Sequence, residues 1–272
     1  MTMLTKAAVR WPPKFDLFGV HVSALTHEQG CDAVMHAAHA RVPAIVSAFA
    51  VHALIEGCTS EELAKKINRF AIVLPDGQPL RWALNWLHGV GLQRTVQGYE
   101  LMRCLCQRAA EEGISIYLYG SSPETLAALE ASLLREFPAL KIAGVESPPF
   151  RPLTAEEDAA MVERVNASGA GLMFIGLGCP KQDRFAAEHA DRIDAVQFCV
   201  GAAFDFLAGI KQPAPAWLQR RGLAWLFRLY CEPRRLWKRY LVTNTIFLKK
   251  LAGQTLSQRL LGRSVETPAL AD

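Results

Sequence analysis

An aspartate between an apolar run and a glycine is the first place where this chain could do chemistry. In LPDGQP, Asp76 follows the strand-like run 71–74 and precedes Gly77, which lets the backbone turn sharply. A carboxylate so placed can take a proton at the mouth of a crevice; the plainer reading is an ordinary Pro-Asp-Gly turn. Further along, two more apolar runs, 171–176 and 195–201, end in glycine and then present polar side chains. Lys181 and Gln182 follow the first, in GLGCPKQ, and Asp205 follows the second, in GAAFDFLAG. An unpartnered carboxylate in so apolar a stretch costs several kcal/mol, so Asp205 needs either an ion pair or a polar ligand. Lys181 reads as a phosphate contact or as a cation at a helix start. The turn Gly120-Ser121-Ser122-Pro123-Glu124 could cradle a phosphate on backbone N–H groups, or be a plain strand-to-helix turn.

These residues need elements to hold them. Strand-like runs are expected at 44–49, 71–74, 114–120, 140–145, 171–176 and 195–200, after a short strand or hairpin over 15–22. Helices are expected between them. One is capped through Thr26-x-x-Gln29, one carries the signature Thr59-x-x-Glu62, others cover 80–87 and 98–112, one follows Ser121 and Ser122, one is capped at Thr154, and one starts at Pro180. Strands alternating with helices specify an α/β fold with a mostly parallel, doubly wound, Rossmann-like sheet. Ligands of such sheets sit outside the carboxyl ends of the strands, where PDGQ, GSSPE, GLGCPKQ and GAAFD all fall.

The 272 residues suffice for one large α/β core plus an appendage, and 51% are hydrophobic, so a sizeable core can form. Mean hydropathy is +0.11, yet no run reaches the roughly 18–20 apolar residues that span a bilayer. The first fifteen residues carry no sustained apolar segment of the signal-peptide kind. Seven cysteines without a C-x-x-C pair read as reduced thiols of a cytosolic protein. The net charge of +4 hides an asymmetry: from Lys211 to Arg263 there are twelve Lys and Arg against one acid, Glu232. Trp217, Trp225, Phe227, Tyr230, Trp237 and Tyr240 interleave with these cations, the composition of a helix lying in a membrane interface. The reading is a core over residues 1–210, a basic, aromatic, helical appendage over 211–255, and a disordered tail over 256–272.

The segments GLGCPKQDRF, GAAFDFLAG and GLAWLFRLYCEPRRLWKRY, with LPDGQPLRW upstream, resemble the WecG/TagA/CpsF glycosyltransferases (glycosyltransferase family 26) over about residues 16–240. The resemblance implies transfer of a sugar from a UDP-sugar to a polyprenyl-diphosphate-linked saccharide at the inner face of the bacterial membrane. It makes Asp76 the general base and sets Arg94 beside it, although the family's Arg-Val-x-Gly stands here as Arg94-Thr-Val-Gln-Gly98. It supports Gln182 and Asp205 as contacts to ribose or uracil, and it brings Ser47, Gly77, Gly120 and Lys181 to the substrate. Where relatives often carry Thr-x-Asn, this chain has Ser47-Ala48-Phe49, which removes an amide from an expected sugar contact. Ala224 stands where a glutamate is usual and Pro213 where an arginine often precedes Ala-Pro, so the donor sugar stays open among N-acetylmannosamine, its uronic acid and glucose.

Many sugar-nucleotide transferases hold a divalent metal on an Asp-x-Asp pair, and this chain contains none. The expected enzyme is therefore metal-independent, with no cofactor, and the family resemblance is read as that of an inverting transferase. The charge of a departing UDP falls to cations such as Arg228, Arg234, Arg235, Lys238 and Arg239. The expected partners are a UDP-sugar, a lipid-linked acceptor and an anionic membrane surface, with no nucleic acid; a homo-oligomer stays open. Two other classes compete. A nucleic-acid-binding protein would grip phosphates with the basic tail, and an NAD(P) oxidoreductase is disfavoured because no strand-end loop carries G-x-G-x-x-G.

Overall fold

The computed structural model describes residues 9–260. The leader reading over residues 1–8, Arg263 and the tail from residue 261 lie outside the described residues. The chain opens with an antiparallel hairpin, β1 (Lys14–Leu17) and β2 (Val20–Ser23), turned through Phe18 and Gly19, both at positive φ. Helix α1 (His27–Ala40) follows, with the expected capping box of Thr26 and Gln29 in place. Six strands then make one all-parallel sheet: β3 (Ala44–Phe49), β4 (Ile72–Pro75), β5 (Ser115–Tyr119), β6 (Lys141–Glu146), β7 (Leu172–Ile175) and β8 (Val196–Cys199). Their spatial order is β4-β3-β8-β7-β5-β6. Four of them, β4, β5, β7 and β8, are buried almost throughout, as continuous apolar runs in a sheet covered on both sides must be.

The crossovers are α2 (Val51–Thr59), α3 (Glu61–Asn68), α4 (Gln78–His88), α5 (Gly98–Glu112), α6 (Pro123–Glu136), α7 (Ala155–Ala167), α8 (Lys181–Glu188) and α9 (Ala203–Leu207). One face of the sheet packs on α2, α3, α4, α7, α8 and the hairpin; the other packs on α1, α5, α6 and α9. One expected cap is corrected. Ser60, not Thr59, caps α3 by accepting from Leu63 N, while Thr59 closes α2 by donating to Ile55 O at 2.9 Å. Helix α2 hides in the sequence because its apolar residues continue the strand before it and its N-cap position, Ala50, gives no capping signal.

Beyond the core lie α10 (Ala216–Arg220), α11 (Ala224–Cys231) and α12 (Pro233–Leu260). Residues 256–260, expected in the disordered tail, instead complete α12. This helix runs back along the core and buries Leu236, Thr243 and Phe247. Phe247 meets Phe18 edge to face at 5.5 Å, and the Gln254 amide clamps the hairpin, accepting from Phe18 N and donating to Asp16 O and Oδ2. The expected result is that Phe247→Ala lowers the unfolding free energy by roughly 3 kcal/mol in urea titrations. A change within about 0.5 kcal/mol would mean that α12 is not held on the core.

Candidate active site

The site follows from strand order. β3 and β8 are neighbours, but α2 leaves β3 on one face of the sheet and α9 leaves β8 on the other. The carboxyl ends of these strands therefore border a crevice at a topological switch point. The helices that begin around it share a property. The N-cap residues of α2, α4, α5 and α8 are Ala50, Gly77, Gln97 and Pro180, and none makes a side-chain cap. By contrast Thr26, Ser60, Ser122 and Thr154 cap α1, α3, α6 and α7. An N-cap side chain thus closes none of these four starts, although Asp76 takes the first N–H of α5 and Gly178 O takes Gln182 N of α8, which leaves α2 and α4 as the more open N-termini. Sequence reasoning did not use this contrast, although the missing Ser, Thr, Asp or Asn was there to be read.

Asp76 stands at this rim. Its backbone N–H donates to Phe49 O and Leu74 O, both at 2.9 Å, which ties the end of β4 to the end of β3. Gly77 turns away at φ +124 and opens α4. The Asp76 Oδ2 accepts from Gly98 N at 3.2 Å, so the first N–H of α5 points at the carboxylate. Glycine is required at 98, because a Cβ there would lie 2.7 Å from the Ala48 Cβ. Burial pushes the Asp76 pKa above the ordinary carboxylate value and Glu100 pushes the same way, while the Gly98 N–H and the charge of Arg228 pull it down; the balance is upward. Arg228, on α11, lies over the Phe206 ring at 5.7 Å. A carboxylate of raised basicity facing one cation suits proton abstraction.

A second carboxylate lies beneath the rim. Asp183 is 1% exposed and accepts from Ser47 Oγ at 2.6 Å. Burial raises its pKa to about 6 against the pull of hydrogen bonds from Ser47 and Cys179. Ser47 is fully buried, its hydroxyl engaged by Asp183, and Phe49 points into the core on the same side. The expected sugar-contact position at 49 is thus part of the apolar core in this chain. Gln182 is also buried, and its Oε1 accepts from Gly178 N at 3.1 Å, holding the GLGCPK loop closed against Gly201.

The remaining candidates lie on other elements, α8, α9, α12 and the loops between. Lys181 is exposed at the first position of α8, and Arg94 is exposed in the loop between α4 and α5; among the described residues neither has a hydrogen-bond or ion-pair partner. Asp205 has a partner, Lys211 Nζ at 2.7 Å, which also reaches Glu232 at 3.4 Å; Glu232 in turn binds Arg235. This chain of charges, with Gln97 Nε2 donating to Gln219 Oε1 at 2.8 Å, joins the appendage to the core beside the crevice. Lys238 and Arg234 are exposed at the start of α12, unpaired among the described residues. Gly120 is required for another reason: its φ is +107, and a Cβ would lie 2.8 Å from the Gly176 backbone. Ser122 caps α6 and Ser147 donates to Ser121 O, so the GSSPE turn is satisfied from within.

The Asp183 pKa carries a stability consequence. A carboxyl whose folded pKa is raised contributes stability below its unfolded pKa and loses it as pH climbs through the folded value, here from about 4 to about 6. Asp183→Asn keeps an acceptor for Ser47 and removes the buried charge. It is expected to stabilise the protein by roughly 1–3 kcal/mol above pH 7 and to have little effect near pH 4, read by chemical denaturation at both. Equal effects at both values would show that Asp183 is not held with a raised pKa.

Among the described residues no three His, Cys, Asp or Glu side chains stand together as a metal site, and no helix is long and apolar enough to cross a membrane. What the rim offers is one carboxylate of raised basicity, helix starts without side-chain caps and the charge of Arg228, a set suited to transfer of a group from a phosphate leaving group. A scan against family models agrees with that chemistry: the glycosyl transferase WecG/TagA/CpsF family matches residues 15–261, nearly the whole chain. The chain belongs to this family and is a glycosyltransferase.

Proposed function

We propose that the protein is an inverting, metal-independent transferase that moves a sugar from a UDP-sugar to a polyprenyl-diphosphate-linked saccharide in the synthesis of a cell-surface polysaccharide. The observation that carries this reading is Asp76: a carboxylate made more basic by burial, aimed by the Gly98 N–H and faced by Arg228 at the crevice rim. In the reaction the acceptor hydroxyl gives its proton to Asp76 while its oxygen bonds to the anomeric carbon. The bond from that carbon to the diphosphate oxygen breaks, and its electron pair leaves with UDP. A single displacement inverts the configuration. The charge gathering on the leaving diphosphate is met by Arg228, by the uncapped N-terminus of α2, and by Lys181, Arg235 and Lys238 as the appendage covers the site. Arg94, unpaired in its loop, is the cation for the acceptor side.

The donor candidates are UDP-linked N-acetylmannosamine, its uronic acid and glucose. The cations of α11 and α12 also suit an anionic membrane, each near the surface contributing about 1 kcal/mol, so the enzyme is read as working at the inner face of the cell membrane. The metal-free part is tested by calorimetry with UDP in excess EDTA, where binding is expected. Binding that appears only with added Mg²⁺ or Mn²⁺ would remove it.

Asp76→Asn keeps the shape and the Gly98 contact but not the basicity. Turnover of a lipid-linked acceptor is expected to fall by roughly 10²–10⁴ with UDP affinity little changed. Arg228 holds the Asp76 pKa down, so Arg228→Ala is expected to move the acid limb of the kcat/KM profile to higher pH. Near-normal turnover by Asp76→Asn would falsify the assignment, and Glu100 and Asp183 would be the next carboxylates to test.

A further inference from the structure

We propose that the core helix α4 and the outer stripe of α12 together form a membrane-inserting face, so that the flank of the catalytic core, and not the basic appendage alone, enters an anionic bilayer. The inference rests on the membrane-docking reading above and adds a surface to it.

Helix α4 turns Leu80, Ala83, Leu84 and Leu87 into the core. On its outer side Trp82 and Trp86, one turn apart, are 51% and 62% exposed. Large aromatic surface left open on a core helix has a use outside the core. Trp86 Nε1 donates to Thr255 Oγ1 on α12 at 3.1 Å, so the two helices present their outer faces together. Along α12 the core-facing line is Leu236, Thr243 and Phe247. Trp237, Leu241, Leu248, Ala252 and Thr255 stand at i, i+4, i+11, i+15 and i+18, a second apolar line on a different side of the helix. Leu248, Leu251, Ala252 and Leu256 meet Trp86 in an open apolar groove that ends at Arg259. The face continues toward the rest of the appendage, because a Cβ at Gly222 would lie 3.3 Å from the Trp82 ring.

The charges choose the occupant. Neither α4 nor α12 contains an aspartate or glutamate, whereas α12 carries seven Lys and Arg, with Lys238, Lys249 and Arg259 exposed. A protein partner would meet a surface of mixed sign. An apolar, tryptophan-bearing stripe edged by cations alone matches the boundary between acyl chains and anionic headgroups. Position gives the arrangement a purpose. Trp82 is four residues into α4, about 6 Å along the axis from the helix start that follows Asp76 and Gly77. A bilayer seated on Trp82 and Trp86 would hold a lipid-borne diphosphate within reach of that rim.

The test is co-sedimentation of the full chain with vesicles of phosphatidylethanolamine and phosphatidylglycerol, comparing the wild type, Trp82→Ser/Trp86→Ser, and Arg234→Ala/Lys238→Ala. Thermal melting and UDP calorimetry check that the tryptophan variant is folded. The expected result is a partition constant about tenfold lower for the tryptophan variant, with weaker fluorescence quenching by brominated acyl chains than in the wild type. If the wild type binds and the tryptophan variant binds equally, while the cation variant is weakened, α4 is not part of the face and the docking reading stands without it. If the wild type binds no vesicles, the docking reading and this inference fall together. If sedimentation velocity finds a dimer that only the tryptophan variant dissociates, the face is a contact between copies and the inference is overturned.

Discussion

Everything at the crevice depends on how closely the first turn of α5 can approach the ends of β3 and β4. The approach is set by a glycine facing an alanine: Gly98 has no Cβ to strike Ala48, so its N–H reaches the Asp76 carboxylate. Two opposing effects then act on one oxygen pair. Desolvation raises the proton affinity of Asp76, and the helix N–H with the Arg228 charge limits the rise. The balance is a carboxylate more basic than an exposed one. An exposed Pro-Asp-Gly turn would have neither the desolvation nor the aim.

The appendage and the core are tied by polar contacts near the crevice and by apolar packing away from it. The chain Asp205–Lys211–Glu232–Arg235 and the Gln97–Gln219 bond lie on the site side, while Phe247 and Gln254 anchor the far end on the hairpin. Such a division keeps α12 fixed and leaves α10 and α11 held by interactions that water and ions can replace. Glu232 is used at this joint, where it meets both Lys211 and Arg235.

The strands were legible because a parallel sheet covered on both faces demands unbroken apolar runs, and 44–49 came out residue for residue. Capped helices were equally plain, as Thr26 with Gln29 and Thr154 with Glu157 show. Helix α2 was not, because Ala50 makes no cap, and a cap is the signal by which a helix start is read. Asp76 could be found from its place after a strand, but not the Gly98 contact that aims it, which comes from packing between residues far apart in sequence. Ser47 was expected at the substrate and Asp183 was given no role; only the three-dimensional register, which turns both inward, shows that they bond to one another. Asp205 was expected to need an ion pair or a polar ligand, and the structure pairs it with Lys211, six residues further along the chain.

The uncapped starts of α2 and α4 bear on folding as well as on chemistry. A ligand bound by donors that converge only in the folded chain stabilises that chain, because the unfolded one offers no such convergence. By mass action, a ligand at a hundred times its dissociation constant adds about 2.7 kcal/mol to the stability of the folded state. Set against the roughly 5–15 kcal/mol typical of a native protein, that is a substantial share. A nucleotide-sugar donor that binds the folded chain alone would therefore protect the transferase that uses it.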